Sequence, residues 1–347
     1  MSTPPQIRLD ALAAALAELS REGDLEPLNV KGIAHDHLRL SGSGLLLRVP
    51  RQSQFALPPE DNLRYQAACF ERAFPSGHTP RLEGVIRPRP GLPMGALLVE
   101  EIVGRPMQLP GDLPRSAEAL AAIHCLPVPA PSERAPLADH SDPLTGTLGF
   151  IERQWVWREK TRLHPETLAQ LEEEVAWARA LAAGVHPPQP VTLVMTDSHP
   201  GNFLVEAGGR AVFVDLEKML YGAPAIDLAH HTLYTSTTWD VDAAGVLSDD
   251  QTEAFHDAYL RRLPPDLSGA ILPWIGPLRR LTWLRTVTWA IKWLALTQPP
   301  GPGEQRDEDW SATQMSPAYR AHVAAKVADF LSPVTMARLR REWIASS

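Results

Sequence analysis

The segment from residue 191 to residue 215 constrains the fold more than any other part of the sequence. It begins with the apolar run VTLVM, passes through TDSHPGN, and continues as FLVE and RAVFVD on either side of the turn AGG. Two apolar runs of strand length around a glycine-containing turn predict a β-hairpin. Asn202 opens this hairpin and Asp215 closes it, so their side chains should meet at one end, with Asp197 just ahead of them.

Three oxygen-bearing side chains at one end of a hairpin suit the binding of Mg²⁺ and phosphate. Mg²⁺ prefers oxygen ligands and usually takes one or two carboxylates together with substrate phosphates. Asn202 and Asp215 are therefore candidate metal ligands, and Asp197 is the candidate carboxylate that orients a hydroxyl group and accepts its proton. The alternative is a loop held together by side-chain to backbone hydrogen bonds, which Asp and Asn commonly form.

The composition is that of a globular protein and argues against several classes. The chain has 347 residues, 44% hydrophobic and 21% charged, which fits one large domain or two lobes with a sizeable core. A net charge of −8 disfavours broad electrostatic binding to nucleic acid or to an anionic membrane. Two distant cysteines, Cys69 and Cys125, argue against a disulfide framework or a cysteine zinc site. No signal-peptide pattern and no long apolar run occur, so a cytoplasmic location is the default expectation.

The order of hydrophobic patterns predicts an α+β fold with two lobes. Alternating or short apolar runs predict strands within residues 28–50, 81–90 and 94–104, and helical spacing predicts helices over residues 8–22 and 61–74. Long helical segments dominate after Gly104, interrupted by the predicted hairpin. We therefore expect a small sheet-rich N-terminal lobe over residues 1–103 and a larger helical C-terminal lobe over residues 104–347.

The spacing D-x-x-x-x-N from Asp197 to Asn202, followed by Asp215, resembles the catalytic loop and metal-binding segment of protein kinases. The stretches HPGNFLV, FVDLEK and YGAPAIDLAH are more similar to the aminoglycoside phosphotransferase and choline kinase-like family. This resemblance implies a bilobal protein-kinase-like fold, ATP with Mg²⁺, and transfer of the γ-phosphate to a hydroxyl of a small molecule; it does not identify that acceptor. The segment from Asp215 to Asp227 is too short for the activation loop of a protein kinase.

The resemblance also implies a nucleotide site. GALLVEEIVGRP resembles the hinge between the lobes, where backbone groups of Glu100, Glu101 and Ile102 would bond to adenine. Arg48 in LLLRVP stands where the family has the strand cation that holds the α- and β-phosphates. Gln66 stands opposite Arg48, in the helix that normally supplies a carboxylate partner for this cation, and it could accept a hydrogen bond from the guanidinium.

Several positions depart from the family pattern. Met195 and Thr196 replace the usual His-Gly of the loop, which suggests a changed support for it. The segment KGIAHDH contains a single glycine, so the nucleotide-covering loop is expected to bind weakly or to use His35 or His37. Glu217 is a second metal ligand or a solvated charge at a strand end. These departures motivate one alternative, a catalytically idle pseudokinase that binds nucleotide and acts as a regulator.

A second set of polar residues has mainly structural explanations. Asp227, in AIDLAHH, is expected to brace a loop or cap a helix. His230 and His231 lack a second cluster at ligand spacing, which argues against zinc. Arg285 and Lys292 share one side of a predicted helix, where a solvated basic flank is the default and a wall of the substrate cleft is the alternative.

Overall fold

The computed structural model describes residues 5–28, 34–140, 142–297 and 317–344. The strands are β1 (Leu25–Pro27), β2 (His35–Leu40), β3 (Leu45–Pro50), β4 (Leu82–Ile86), β5 (Ala96–Glu100), β6 (Gly104–Pro106), β7 (Thr192–Val194), β8 (Phe203–Glu206), β9 (Ala211–Phe213) and β10 (Leu220–Gly222). The helices are α1 (Pro5–Glu18), α2 (Pro59–Ala73), α3 (Leu113–His124), α4 (Pro143–Trp155), α5 (Pro165–Ala183), α6 (Ala225–Thr232), α7 (Tyr234–Thr237), α8 (Asp249–Leu260), α9 (Pro265–Ile271), α10 (Ile275–Leu296), α11 (Pro317–Phe330) and α12 (Pro333–Ile344).

The N-terminal part is a five-stranded antiparallel sheet in the order β1-β2-β3-β5-β4. The predicted turn between β2 and β3 is confirmed: Leu40 pairs with Leu45, and Gly42 and Gly44 adopt left-handed φ angles of +70° and +68°. Such angles favour glycine, which has no Cβ to clash. Strand β1 was not predicted, and residues 29–33 of the predicted strand region lie outside the described residues.

The two faces of the sheet are buried against different partners. Side chains alternate between faces along a strand, so Leu98 packs into a small core with Leu12 of α1. Its neighbours Leu97 and Val99 face the other way and join Phe70 of α2 in a large core that continues through the helical part. The α2 face of the sheet is therefore continuous with the C-terminal core, which ties the sheet to the rest of the protein.

The predicted hairpin is confirmed as β8 and β9, with Phe203 opposite Phe213 and Gly209 at a φ of +85° in the turn. Strand β6 adds to the outer edge of β8, pairing Gly104 with Glu206. Strand β7, which leads into the loop before the hairpin, pairs with β10. Neither β6 nor β10 was predicted, because a three-residue strand carries too little alternation to be recognised.

The remaining predicted elements are present with shifted ends. The opening helix ends at Glu18 rather than at residue 22. The helical segments expected after Gly104 include α4, which is followed directly by a 3-10 helix, Val156–Lys160. The predicted lobe boundary at residues 103 and 104 falls between β5 and β6 and stays a prediction. Across the described ranges, no helix has the length and apolar character needed to span a bilayer.

Candidate active site

The loop between β7 and β8 carries Asp197 and Asn202 and is held by its own hydrogen bonds. The Nδ2 of Asn202 donates to the carbonyl oxygen of Asp197 at 2.8 Å, and the Asn202 backbone N–H donates to the carbonyl of His199 at 3.0 Å. At the end of β9, the N–H of Val214 donates to the carbonyl of Asn202 at 2.9 Å. The hairpin therefore places Asp215 directly after the point where its strand returns to the loop, and all three polar side chains line one cleft.

Asp227 holds the backbone of this loop, as predicted for that residue. Its buried carboxylate accepts hydrogen bonds from the backbone N–H groups of Met195 and Thr196, both at 2.7 Å. The same carboxylate contacts His124 Nε2 at 3.0 Å, and Nδ1 of His124 contacts the hydroxyl of Tyr259 at 2.7 Å. Asp227 binds the backbone of the two residues that depart from the family pattern, so this contact does not depend on their side chains.

Thr196 occupies a backbone conformation that favours glycine. Its φ is +60°, a genuine outlier for a β-branched residue. Two hydrogen bonds hold it there: its Oγ1 donates to the carbonyl of Lys218 at 2.9 Å, and its own carbonyl accepts from Arg285 at 2.8 Å. The default expectation of a solvated flank is therefore wrong for Arg285, whose guanidinium braces the loop, while Lys292 lines the cleft.

His231 also supports the loop. Its Nδ1 lies 2.7 Å from the carbonyl oxygen of Ser198, and its Nε2 lies 2.7 Å from the hydroxyl of Ser116. Both ring nitrogens are therefore engaged by protein atoms. His230 instead lines the cleft, with its Nε2 3.7 Å from Asp197, and burial lowers its pKa to about 3, so the ring is neutral.

Lys218 is the functional candidate that the sequence analysis missed. Its Nζ donates to Oδ2 of Asp197 at 2.6 Å. Burial alone would raise the pKa of Asp197, but the charge of Lys218 and its hydrogen bond outweigh burial and hold that pKa well below its usual range. Asp197 is therefore an ionised carboxylate with a fixed cation partner. No spacing in the sequence signals this pair, because it forms between two loops.

Arg48 points to the end of the hairpin rather than to Gln66. Its Nη2 donates to Oδ1 of Asp215 at 2.6 Å and its Nη1 donates to the carbonyl of Val214 at 2.8 Å. The predicted hydrogen bond from Arg48 to Gln66 is wrong, because Oε1 of Gln66 lies 3.0 Å from Nε2 of His35 instead. Burial would raise the pKa of Asp215, but Arg48 outweighs this effect and lowers it.

Glu217 and His35 form a buried pair behind Asp215. Nδ1 of His35 lies 3.0 Å from Oε2 of Glu217, yet this oxygen has no aligned hydrogen bond within the described chain. Burial, and then the charge of Asp215, raise the pKa of Glu217 to about 8. Burial, and then Arg48, lower the pKa of His35 to about 3. One proton thus resides on the carboxyl at neutral pH, and the expectation of a solvated strand-end charge is wrong for Glu217.

In the segment that resembles the hinge, two backbone N–H groups already form hydrogen bonds within the protein. The N–H of Glu100 donates to Arg81 at 2.9 Å and the N–H of Glu101 donates to Gly44 at 2.8 Å, both through carbonyl oxygens. The Glu101 carboxylate is also paired with Arg39 at 2.6 Å. The amides of Glu100 and Glu101 are therefore already engaged by carbonyl groups of the protein. The expected contact between adenine and the backbone groups of Glu100, Glu101 and Ile102 stays a prediction.

One cleft of about 1380 Å³ connects these features. Its walls include Leu46 and Val99 from the sheet and Leu204 and Val214 from the hairpin, which form an apolar section next to the hinge. Its far end contains aromatic and polar side chains of the helical part: Trp239, Asp240, Arg285, Trp289, Tyr319 and His322. The candidate residues that reach it are Arg48, Glu100, Glu101, Ile102, Asp197, Asn202, Asp215 and Glu217, whereas Gln66 does not line it.

The protein combines an antiparallel sheet with a helical part, and the cleft between them contains a D-x-x-x-x-N loop and a second Asp. These features define the class of kinase-like phosphotransferases. Within this class, the chain belongs to the phosphotransferase enzyme family, whose model matches residues 33–268. A search of curated protein sequences finds no match.

Solved structures of this class share the fold at low sequence identity. Plasmodium vivax ethanolamine kinase superposes with a TM-score of 0.58 at 14% identity, over 93% of this chain and 86% of its own. A macrolide 2'-phosphotransferase from Brachybacterium faecium gives 0.55 at 17% identity, over 94% and 98%. The ADP-bound aminoglycoside phosphotransferase APH(2'')-Ib gives 0.52 at 13% identity, over 93% and 97%. The protein-kinase-like fold is therefore established, and the family match makes the chain a member of a phosphotransferase family.

Proposed function

We propose that this chain transfers the γ-phosphoryl group of ATP to a hydroxyl group of a small molecule. The observation that carries the proposal is the placement of Asp197, Asn202 and Asp215 in one cleft between the sheet and the helical part. Their order along the chain and their spacing are those that phosphoryl transfer requires, with a positioned nucleophile and cations over the phosphates.

Asp197 acts on the acceptor. Its carboxylate accepts a hydrogen bond from the acceptor hydroxyl and takes the proton as the new oxygen–phosphorus bond forms. At the same time the bond between the γ-phosphorus and the β–γ bridging oxygen breaks, and ADP leaves with that electron pair. A carboxylate with so low a pKa is a weak base, so orientation of the hydroxyl is its larger contribution. Lys218, 2.6 Å away, offers a positive charge beside the same carboxylate.

The other end of the cleft suits the nucleotide. Leu46, Val99, Leu204 and Val214 offer apolar surfaces to the two faces of an adenine ring, next to the backbone of Ile102. Arg48 brings a guanidinium to the place where the phosphates would pass. The ADP-bound structure of a protein with this fold supports nucleotide binding on the same scaffold.

The donor set at the hairpin fits Mg²⁺. Asn202 uses its Nδ2 for Asp197, which leaves its Oδ1 as an acceptor. Of the two carboxylate oxygens of Asp215, Arg48 binds Oδ1, which leaves Oδ2 among the described residues, and Glu217 has a buried oxygen without an aligned partner. These three residues would hold the ion. A divalent cation bound there supplies positive charge to neutralise the β- and γ-phosphates.

The proposed test is a panel of hydroxylated small molecules screened for ADP release. The named relatives act on ethanolamine, macrolides and aminoglycosides, so the panel should include amino-alcohols, macrolides, aminoglycosides and sugars. We expect one class to give turnover that falls at least ~10²-fold in Asp197→Asn. Full turnover in this variant would show that Asp197 is not the group that acts on the hydroxyl.

The idle pseudokinase alternative finds no support in the family comparison, and the three key residues are all retained. A thermal shift measured with ATP, with and without Mg²⁺, discriminates the two. Stabilisation that needs Mg²⁺ and is accompanied by slow ATP hydrolysis is expected for the enzyme. Stabilisation by ATP that is independent of Mg²⁺, with no turnover on any acceptor, would instead favour the regulator.

A further inference from the structure

His35, Asp215 and Glu217 form a cluster whose ligand atoms all lie within 4.8 Å of one another. His35 comes from β2 of the sheet, whereas the two carboxylates follow β9, so the cluster joins the two parts of the protein across the cleft. We propose that it is a binding site for a divalent transition-metal ion, with the imidazole of His35 as a nitrogen ligand. The inference rests on the proposed function, because Asp215 and Glu217 belong to the same site, but its test requires neither nucleotide nor acceptor.

The strongest observation is a buried oxygen without a partner. The side chains of His35 and Glu217 are only 3% and 4% exposed, and Oε2 of Glu217 lies 3.0 Å from Nδ1 of His35 without an aligned hydrogen bond. A buried polar atom left unpaired is destabilising. A cation that displaces the carboxyl proton of Glu217 would be bound by both this oxygen and the ring nitrogen, since each then presents a lone pair to it.

The ring of His35 is oriented in the way typical of a metal ligand. Metal-binding histidines usually donate the N–H of their second nitrogen to an oxygen, which fixes the tautomer and the ring plane. Here Nε2 faces Oε1 of Gln66 at 3.0 Å. With the proton on Nε2, the lone pair of Nδ1 points at Glu217. Gln66, which replaces the carboxylate expected in helix α2, thus acts as the support of this histidine.

The third ligand is partly open to the cleft. The Asp215 side chain is 32% exposed and is bound through Oδ1 to Arg48, so Oδ2 is left for a cation in the described part of the chain. One imidazole and two carboxylates favour first-row transition metals over Mg²⁺, because imidazole is a softer ligand than oxygen. The nitrogen ligand therefore distinguishes this site from an all-oxygen magnesium site.

The test uses the full chain, stripped of metal, with Mn²⁺ as the probe. Titration followed by electron paramagnetic resonance gives the Mn²⁺ affinity, and calorimetry gives that of Mg²⁺. We expect His35→Gln to lower the Mn²⁺ affinity at least ~10-fold while changing the Mg²⁺ affinity much less. Pulsed resonance should detect ¹⁴N coupling from an imidazole in the native protein. His37→Gln, on the same strand but outside the cluster, is the matched control and should retain both the affinity and the coupling.

A second variant keeps the test decisive if His35→Gln folds poorly. Glu217→Gln is expected to weaken Mn²⁺ binding but to keep the ¹⁴N coupling, since His35 remains. The inference would be overturned if bound Mn²⁺ showed no imidazole coupling. It would also be overturned if the ratio of Mn²⁺ to Mg²⁺ affinity were unchanged in His35→Gln. The contact between His35 and Glu217 would then be a shared proton. Turnover failing on every acceptor while the coupling persists would count against the proposed function and not against this site.

Discussion

Replacing Asp227 with Asn should both destabilise the protein and slow the reaction. The buried carboxylate accepts the N–H groups of Met195 and Thr196 through its two separate oxygens, each at 2.7 Å, and also contacts His124. An amide has one oxygen, so one backbone N–H loses its acceptor and faces an NH₂ group instead. A hydrogen bond to a charged group contributes about 1.5–3 kcal/mol and an unpaired buried donor costs about 1–3 kcal/mol. We therefore expect the free energy of unfolding to fall by about 3–5 kcal/mol.

The assay is urea denaturation followed by tryptophan fluorescence, combined with turnover under conditions where the variant is folded. Because Met195 and Thr196 immediately precede Asp197, a shift of about 1 Å in the loop should lower kcat about 10²-fold. Asp61→Asn is the matched control: its exposed carboxylate pairs with Arg64 at 2.9 Å, and such a pair contributes under about 1 kcal/mol. If Asp227→Asn were no less stable than Asp61→Asn and equally active, the brace would not exist as described.

Substitutions at three further positions test other contacts of the site. Lys218→Met removes the cation that holds the pKa of Asp197 down against burial, so the acidic limb of the kcat/KM profile should move to higher pH, whereas Lys218→Arg should keep it low. Thr196→Gly relieves the positive φ but loses one hydrogen bond, so urea denaturation should show a change within about 1 kcal/mol, while Thr196→Val keeps the strain and should lose about 1–3 kcal/mol. The pKa of Glu217 is about 8 in the folded chain, against 4.5 for an ordinary glutamate. Between these pH values the folded chain keeps a proton that the unfolded chain has released. This carboxyl therefore lowers stability as pH rises between those values, and Glu217→Gln should remove that part of the decline in a pH series of urea denaturation.

The hairpin and its polar ends could be predicted because the information is local. Strand runs on either side of the turn at Gly209 determine their own pairing, and pairing places Asn202 and Asp215 at the same end without any long-range assumption. The brace at Asp227 was likewise expected, since an Asp at the start of a short helix commonly holds a nearby backbone. The protein-kinase-like fold came from the resemblance that these motifs carry, not from their spacing alone.

The partners of the charged side chains could not be predicted, because they depend on how distant segments pack. Arg48 and Asp215 are separated by 167 positions. In the sequence, both Gln66 and Asp215 offer an oxygen that could accept a hydrogen bond from the guanidinium. In the fold, Nε2 of His35 lies 3.0 Å from Oε1 of Gln66, so this oxygen is taken by His35 and not by Arg48. Lys218 was missed for the same reason: its contact with Asp197 follows from the path of the chain after β9.

In the cleft between the sheet and the helical part, the charged side chains form ion pairs that a bound triphosphate would disturb. Arg48 is bound to Asp215 and Lys218 is bound to Asp197, both at 2.6 Å. A triphosphate is attracted by the two cations and repelled by the two carboxylates, and at similar distances these energies are of similar size. A divalent cation held by Asp215 would offset one repulsion, and Arg48 could then contact the phosphates. Nucleotide and divalent cation should therefore each raise the affinity of the other by the same factor, as linkage requires. Calorimetry of ATP binding with and without divalent cation measures that factor, and a value of one would contradict this account of the site.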